Sequence, residues 1–223
     1  MDKPVGWIVN DATTVKDQPV LQNWLAKNLD YPLSKNREYR SGIVHRLDKE
    51  TSGVMLVAKT KDMFEYLQSQ FKTRLVQKTY LALVHGIVSP ENGTIEATVG
   101  RLPWRRDRFG VLPGGREATT LYQVTGKFEQ PETHEKLSLV ECYPKTGRTH
   151  QIRIHLKHLG YPIVSDPFYA GRKTARNDRK WCGRLFLHAI KIEFNDQSKK
   201  RLSFESLLTS DLQNALDTLT PIK

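Results

Sequence analysis

Residues 75–88, LVQKTYLALVHGIV, form the longest strand-like run in the chain, and they constrain its fold most. Aromatic and branched apolar side chains dominate a segment too short for a membrane span and too poor in helical spacing for an amphipathic helix. SPENG (89–93) follows, in which Pro, Asn and Gly each favour a turn. TIEATVG (94–100) then returns with strand alternation, which predicts a hairpin with 75–88. Further strands are expected at 118–126 and 137–143. LFLHAIKIEF (185–194) and RLSFE (201–205), joined by NDQSKK, read as a second hairpin. Strands joined by hairpins, with few helices between them, point to an α+β domain on a large mixed, mainly antiparallel sheet with flanking helices.

The remaining segments fit around that sheet. GWIV (6–9) reads as a strand after Pro4. Asp17 is expected to cap a helix over 18–29, with Val20, Leu21, Trp24, Leu25 and Leu29 on one face. A basic loop at 31–40 precedes a strand over 54–58. Thr60 caps a second helix that turns Met63, Phe64, Leu67 and Phe71 inward. Residues 101–117 are basic and broken by Gly and Pro. TGRTHQIRIHLKHLGYP (146–162) alternates like a strand at Ile152, Ile154 and Leu156 and repeats like a helix at Ile152, Leu156 and Leu159. Thr149 as N-cap, Gly160 as the left-handed terminator and Pro162 beyond it favour the helix. On that helix His150, Arg153 and Lys157 line a face apart from the apolar one. Residues 169–184 read as a polar loop, and Ser210 as the cap of a last helix bearing Leu212, Leu216 and Leu219. The 223 residues show no repeat or linker, so one domain is expected.

SGIVHRLDKETSGVMLVAKT (41–60) packs His45, Arg46, Asp48, Lys49, Glu50, Thr51 and Ser52 between two apolar ends. Asp48 is either a turn residue or a carboxylate held out for chemistry. Thr51 and Ser52 can bond backbone groups and fix the turn, Gly53 permits an unusual φ, and Arg46 can meet an anion beside the carboxylate. Charge narrows the choice of partner. Thirty-five Lys and Arg against 24 Asp and Glu leave a net +11, which suits nucleic acid first and an anionic membrane second. No basic amphipathic helix is apparent, so the membrane is the weaker option. Two loops, RLPWRRDR (101–108) and RKTARNDRKWCGR (172–184), concentrate arginine beside Trp104 and Trp181. Guanidinium groups read phosphate and aromatic rings stack on unpaired bases, which favours looped or single-stranded RNA over duplex DNA. His150, His155 and His158 lack a metal-site pattern, and no P-loop, dinucleotide fingerprint or G-x-S-x-G elbow is present, so no metal and no cofactor is expected. Cys142 and Cys182 are expected as reduced, inert thiols. No signal peptide is apparent, and the chain is expected in the cytoplasm.

Four ordered stretches then carry a resemblance. GIVHRLDKETSGVMLVAK resembles the H-R-L-D-x-x-T-S-G signature of the RluA-type pseudouridine synthases. DKPVG (2–6), QKTYLALVHG (77–86) and GRTHQIRIHLKHLGYPIVSDPFY (147–169) look like further motifs of that family, and RLFLHA (184–189) like its last strand. The resemblance implies cofactor-free isomerisation of uridine in large-subunit ribosomal RNA or transfer RNA, within a central RNA-binding cleft. The N1–C1′ bond breaks, the uracil turns, and a C5–C1′ bond forms. Asp48 matches the essential aspartate, as nucleophile at C1′ or as base at the 2′ proton. Tyr80 matches the tyrosine that stacks on the uracil and assists proton movement at C5, and Arg153 the arginine that pairs with the aspartate. Arg46 is expected to hold the target nucleotide out of its stack, and Arg148, His150 and Gln151 to shape the cleft or touch the RNA backbone. Arg101, Arg105, Arg106, Arg108, Arg172 and Lys173 are the remaining expected RNA contacts. Many members carry an S4 domain; here residues 1–223 are expected to be the catalytic domain without one, acting as a monomer. The competing expectations are a catalytically silent RNA chaperone using the same cleft, and an RNA glycosidase or nuclease built on Asp48.

Overall fold

The computed structural model describes residues 1–11, 18–103 and 105–222, with 106 and 107 by their backbone. In chain order the elements are β1 (Asp2–Lys3), α1 (Leu21–Asn28), β2 (Ser52–Val54), α2 (Lys61–Lys72), β3 (Gln77–His85), β4 (Asn92–Leu102), β5 (Arg105–Val111), β6 (Arg116–Glu129), β7 (Lys136–Pro144), α3 (Gln151–His158), α4 (Arg172–Asp178), β8 (Leu187–Asn195), β9 (Arg201–Glu205), α5 (Ser210–Asp217) and β10 (Thr220–Pro221). The fold is α+β on a mixed sheet, as expected, and the pairs β1–β2, β3–β7, β4–β6, β6–β7 and β8–β9 are antiparallel. The chain forms two compact units, Met1–Lys78 with Ala189–Leu207, and Thr79–His188 with Leu208–Lys223.

In the first unit β1 pairs with β2, placing Lys3 opposite Gly53, and β8 and β9 form the expected hairpin. Helix α2 starts at the expected cap: Thr60 Oγ1 accepts from the Met63 amide at 3.4 Å. Its Phe64 and Leu67 are buried. Its outer flank is fastened where Tyr66 donates to the Asp196 carbonyl and Gln70 exchanges two hydrogen bonds with the Asn195 backbone. Leu21, Leu25, Ile43, Met55 and Ile192 complete this core, each contributing about 2 kcal/mol by burial. GWIV is not a strand. Gly6 turns the chain at φ 82°, and the carbonyls of Ile8 and Val9 accept from the amides of Leu21 and Gln22. This segment therefore satisfies the open N-terminus of α1. Asp17, the expected cap, lies outside the described residues. The strand expected over 54–58 is cut to Ser52–Val54, beyond which only an isolated bridge joins Val57 to Ile43.

In the second unit the strands run β3–β7–β6–β4–β5, with β10 against the far end of β6. The expected hairpin between 75–88 and 94–100 does not form. β3 pairs with β7, Ala82 opposite Val140 and Leu83 opposite Leu139, while β4 pairs with β5 and β6. The reason is burial. Tyr80, Ala82, Leu83 and Val84 are buried on both faces of β3, and β7 supplies Leu137 and Val140 of equal burial. β4 is buried only at Ile95 and Val99 and suits a more peripheral place. Residues 101–117, expected as broken loop, contain β5, and 169–184, expected as loop, contain α4.

Helix α3 forms where helical spacing predicts it and ends at Gly160, φ 100°. Thr149 does not cap it. His150 occupies the N-cap in a left-handed conformation, and the Gln151 side chain braces the turn by accepting from Thr146 Oγ1 and the Arg148 amide. The expected polar face is also divided: Lys157 is exposed, but Arg153 is buried. Ile154 packs with Val99 and Ala118, against Phe109 and Tyr169.

Candidate active site

The Asp48 loop belongs to the first unit, and its shape is set by the chain's first residues. Thr51 donates its amide to the Asp48 carbonyl at 3.1 Å, closing a turn. The Lys49 carbonyl accepts from the Gly6 amide at 2.8 Å and from the Lys3 ammonium at 3.2 Å. Lys3 also donates to the carbonyls of Pro4 and Trp7, at 2.8 and 3.0 Å, and is only 1% exposed. A buried ammonium ringed by carbonyls replaces its hydration with fixed dipoles. It puts a positive charge one residue from Asp48, which itself is half-buried. Nothing in DKPVG marks Lys3 as a brace beyond a lysine placed between a strand residue and a proline turn.

On the other side of the loop, His45 Nε2 accepts from the Leu56 amide at 2.9 Å, and the ring stacks on Phe71 at 4.9 Å. Burial, then the neighbouring Lys78 and N-terminal ammonium, lower its pKa to about 3. His45 is therefore a neutral brace. Leu47, Thr51 and Ser52 are buried, whereas Arg46 is exposed. The polar cluster thus separates into a buried scaffold at Thr51 and Ser52, two exposed cations, Arg46 and Lys49, and a half-buried carboxylate at Asp48.

The second unit holds Tyr80 and Arg153. Tyr80 is buried on β3 opposite Cys142. Arg153, on α3, makes a two-pronged ion pair with Asp166, Nε at 2.7 Å and Nη2 at 2.8 Å. Both side chains are almost fully buried. Asp166 also accepts from the amides of Phe168 and Tyr169 at 2.9 and 3.2 Å. The rings of those two residues lie 5.4 and 5.1 Å from the Arg153 guanidinium. A bidentate carboxylate with aromatic neighbours holds a buried arginine in one rotamer. Asp166, Phe168 and Tyr169 escaped sequence reading although SDPFY lay within a quoted motif. The pairing joins positions 153 and 166, which no spacing rule connects.

The basic candidates divide by environment. Arg108 donates to the Phe168 carbonyl at 3.2 Å and lies over its ring at 5.3 Å, and Arg101 lies 4.9 Å over Phe109. His150 Nδ1 meets the Tyr169 hydroxyl at 3.0 Å, which donates to the Phe109 carbonyl. Arg101, Arg108 and His150 thus gather around three aromatic rings between β5 and α3. Arg148 bonds the Glu117 carbonyl at 3.1 Å. Gln151 is buried, with its amide nitrogen on Thr119 and Thr120, so it shapes this region from within. Arg105, Arg172 and Lys173 are exposed. The Arg106 side chain and Trp104 lie outside the described residues.

His155 is buried with its pKa lowered to about 4 by burial, while His158 is exposed, so the three histidines of α3 do not converge. Cys142 and Cys182 are free and buried, and burial pushes both thiols up. A different histidine, His85, meets Glu135 through Nδ1 at 2.7 Å and Asp178 through Nε2 at 3.1 Å. Burial opposes its charge, but the two carboxylate hydrogen bonds win and raise its pKa to about 9. These three groups lie close enough to hold a metal ion. With a carboxylate at each ring nitrogen, however, the imidazolium donates twice and keeps no lone pair for a metal. The cluster is an ion triad.

Residues 1–158 match the family model described as RNA pseudouridylate synthase. An uncharacterized RNA pseudouridine synthase of Chloroflexus aurantiacus is 40% identical over 219 residues, covering 98% of this chain and 65% of that protein. Ribosomal large subunit pseudouridine synthase D of Pseudomonas aeruginosa is 36% identical, covering 95% of this chain and 65% of that protein. The chain therefore spans just under two thirds of the length of these curated relatives. Among solved structures, human RNA pseudouridylate synthase domain containing 4 superposes with a TM-score of 0.70 at 25% identity, over 98% of this chain and 88% of that one.

Proposed function

Because the chain belongs to the RNA pseudouridylate synthase family, we propose that it converts uridine in RNA to pseudouridine, with Asp48 as the carboxylate at the ribose. The observation that carries this reading is the Asp48 loop. It lies within the family match and is braced by the buried Lys3 ammonium on one side and the half-buried His45 ring on the other, with Asp48 itself half-exposed. In the reaction the N1–C1′ bond breaks and a C5–C1′ bond forms, and the C5 proton moves to N1 of the turned ring or to solvent. Asp48 serves either by attacking C1′ or by removing the 2′ proton; both need an ionised carboxylate beside the sugar. Tyr80 is the group for the uracil face and the C5 proton. Arg153, held by Asp166 through Nε and Nη2, is the arginine that we assign to the catalytic carboxylate on the strength of the motif it belongs to. Arg46 holds the displaced nucleotide. Arg101, Arg105, Arg108, Arg148, Arg172 and Lys173 meet phosphate.

Large-subunit ribosomal RNA is the favoured substrate over transfer RNA, because several relatives are named ribosomal large subunit pseudouridine synthase D. We propose action on RNA in the cytoplasm; no described helix is long and apolar enough to cross a membrane.

Asp48→Asn tests the reading. Pseudouridine formed in vitro, mapped by carbodiimide labelling and primer extension, should fall below detection while RNA affinity stays within a few-fold. Pseudouridine made at an undiminished rate removes Asp48 from the chemistry. Release of free uracil or cut strands by the wild type would favour the glycosidase or nuclease instead.

A further inference from the structure

The segment 172–180 reads RKTARNDRK, five cations and one acid. Residues 172–178 form α4, and Arg179 keeps helical angles as its C-cap. At about 100° per residue, Arg172, Lys173, Arg176, Arg179 and Lys180 fall within an arc of about 120°. All five are exposed. The single acid, Asp178, points the other way. It is buried, accepting from His85 Nε2 at 3.1 Å and from the Ser165 amide at 2.8 Å. Ala175 is buried beside it, and Ser165 Oγ donates to the Cys182 carbonyl at 2.5 Å.

Two consequences follow. The helix is fastened on its inner side by an ion triad, which fixes the face it turns outward. The acid that could neutralise that outer side is turned inward. Among the described residues none of the five cations has an ion-pair partner. Elsewhere on the surface Lys127 pairs with Glu91, Lys136 with Glu129 and Lys191 with Glu193 and Glu205. Like charges at i,i+3 and i,i+4 repel. The five exposed cations therefore repel one another, weakly for each pair, a cost that a bound polyanion would remove.

We propose that the outer face of α4 and its C-terminal turn, including Arg176, Arg179 and Lys180, binds the phosphate backbone of RNA away from the nucleotide that reacts. The inference rests on the RNA reading given above. A stripe of about 13 Å spans two to three phosphates of one strand, and its arginines suit phosphate oxygens better than a diffuse counterion layer. It contains no aromatic residue, so it grips backbone without reading bases.

The test uses the triple variant R176Q/R179Q/K180Q and a control, K127Q/K136Q/K191Q, which removes the same charge from paired lysines. Binding to a short oligouridylate and to a generic RNA duplex is followed by fluorescence anisotropy across a series of KCl concentrations, beside pseudouridine formation on total RNA. The α4 variant should bind at least roughly tenfold more weakly at low salt. Its slope of log affinity against log salt should fall by about two, against less than one for the control. Pseudouridine formation should lose apparent affinity with its maximal rate kept. An unchanged slope in the α4 variant, or an equal fall in the control, overturns the inference. So does a polyglutamate peptide, run in the same anisotropy series, that loses affinity for the α4 variant while both RNAs keep theirs; the partner would then be an acidic peptide. A wild type that forms pseudouridine while the α4 slope stays unchanged refutes only this surface. A wild type that forms none while the slope falls as stated refutes the enzymatic reading and leaves the surface standing.

Discussion

Lys3 shows how far one side chain can act from where it is attached. It sits at the edge of β1, yet its ammonium ties Pro4, Trp7 and Lys49 together and so shapes the loop that presents Asp48. Lys3→Met keeps most of the apolar stem and removes the donor. The three hydrogen bonds lost are part-buried, and a hydrogen bond to a charged group is worth about 1.5–3 kcal/mol, less whatever water recovers. Urea unfolding should show a loss of about 2–4 kcal/mol as a lower midpoint at unchanged m-value. Pseudouridine formation should fall with it, even under conditions where the variant is fully folded. A midpoint equal to that of the wild type would mean that water replaces the ammonium without loss. Asp48 itself was visible in sequence as a carboxylate in a polar span; Lys3 was not, because its partners are backbone carbonyls that carry no sequence signature.

Among the elements, β2 is the shortest that matters to the site. Its three residues follow the Asp48 loop and run antiparallel to β1. Gly53 makes this possible. Its φ is 116°, and a Cβ there would lie 2.3 Å from the Ala189 carbonyl oxygen of β8. Gly6 has a comparable positive φ, 82°, but open space around it. Gly6→Ala should therefore cost about 1–2 kcal/mol from backbone strain alone. Gly53→Ala should cost at least about 2 kcal/mol more, because a backbone oxygen cannot yield to the new methyl group. Equal losses for the two in thermal or urea unfolding would show that β8 moves aside freely. Sequence reading rightly gave Gly53 an unusual φ, but the close approach to β8 joins residues over 130 positions apart. The same limit explains the missed pairing of β3 with β7. Local turn signals in SPENG were real, yet the burial of β3 on both faces chose its partner.

At the scale of the whole molecule, the His85 triad links a strand, a turn and a helix at positions 85, 135 and 178, and so makes global stability depend on pH. The folded pKa of about 9 lies above the unfolded value near 6.5. The stabilisation is complete below about pH 6.5 and is lost as pH rises through about 9. It amounts to about 3 kcal/mol for a shift of this size. Unfolding free energies measured from pH 6 to 10 should decline over that window, and His85→Gln should abolish most of the decline. A parallel decline in the variant would assign it to other groups. The family, the α+β class, the surplus of basic residues and the polar span that holds Asp48 were determined by the sequence itself, because motif order, strand alternation and charge are local or additive properties. Tertiary structure alone decided which strands pair, that Asp166 holds Arg153, that Lys3 underlies the Asp48 loop, and that Asp178 turns inward and leaves α4 with a purely cationic face. Those are contacts between residues distant in the chain, and their selection depends on which groups the fold removes from water.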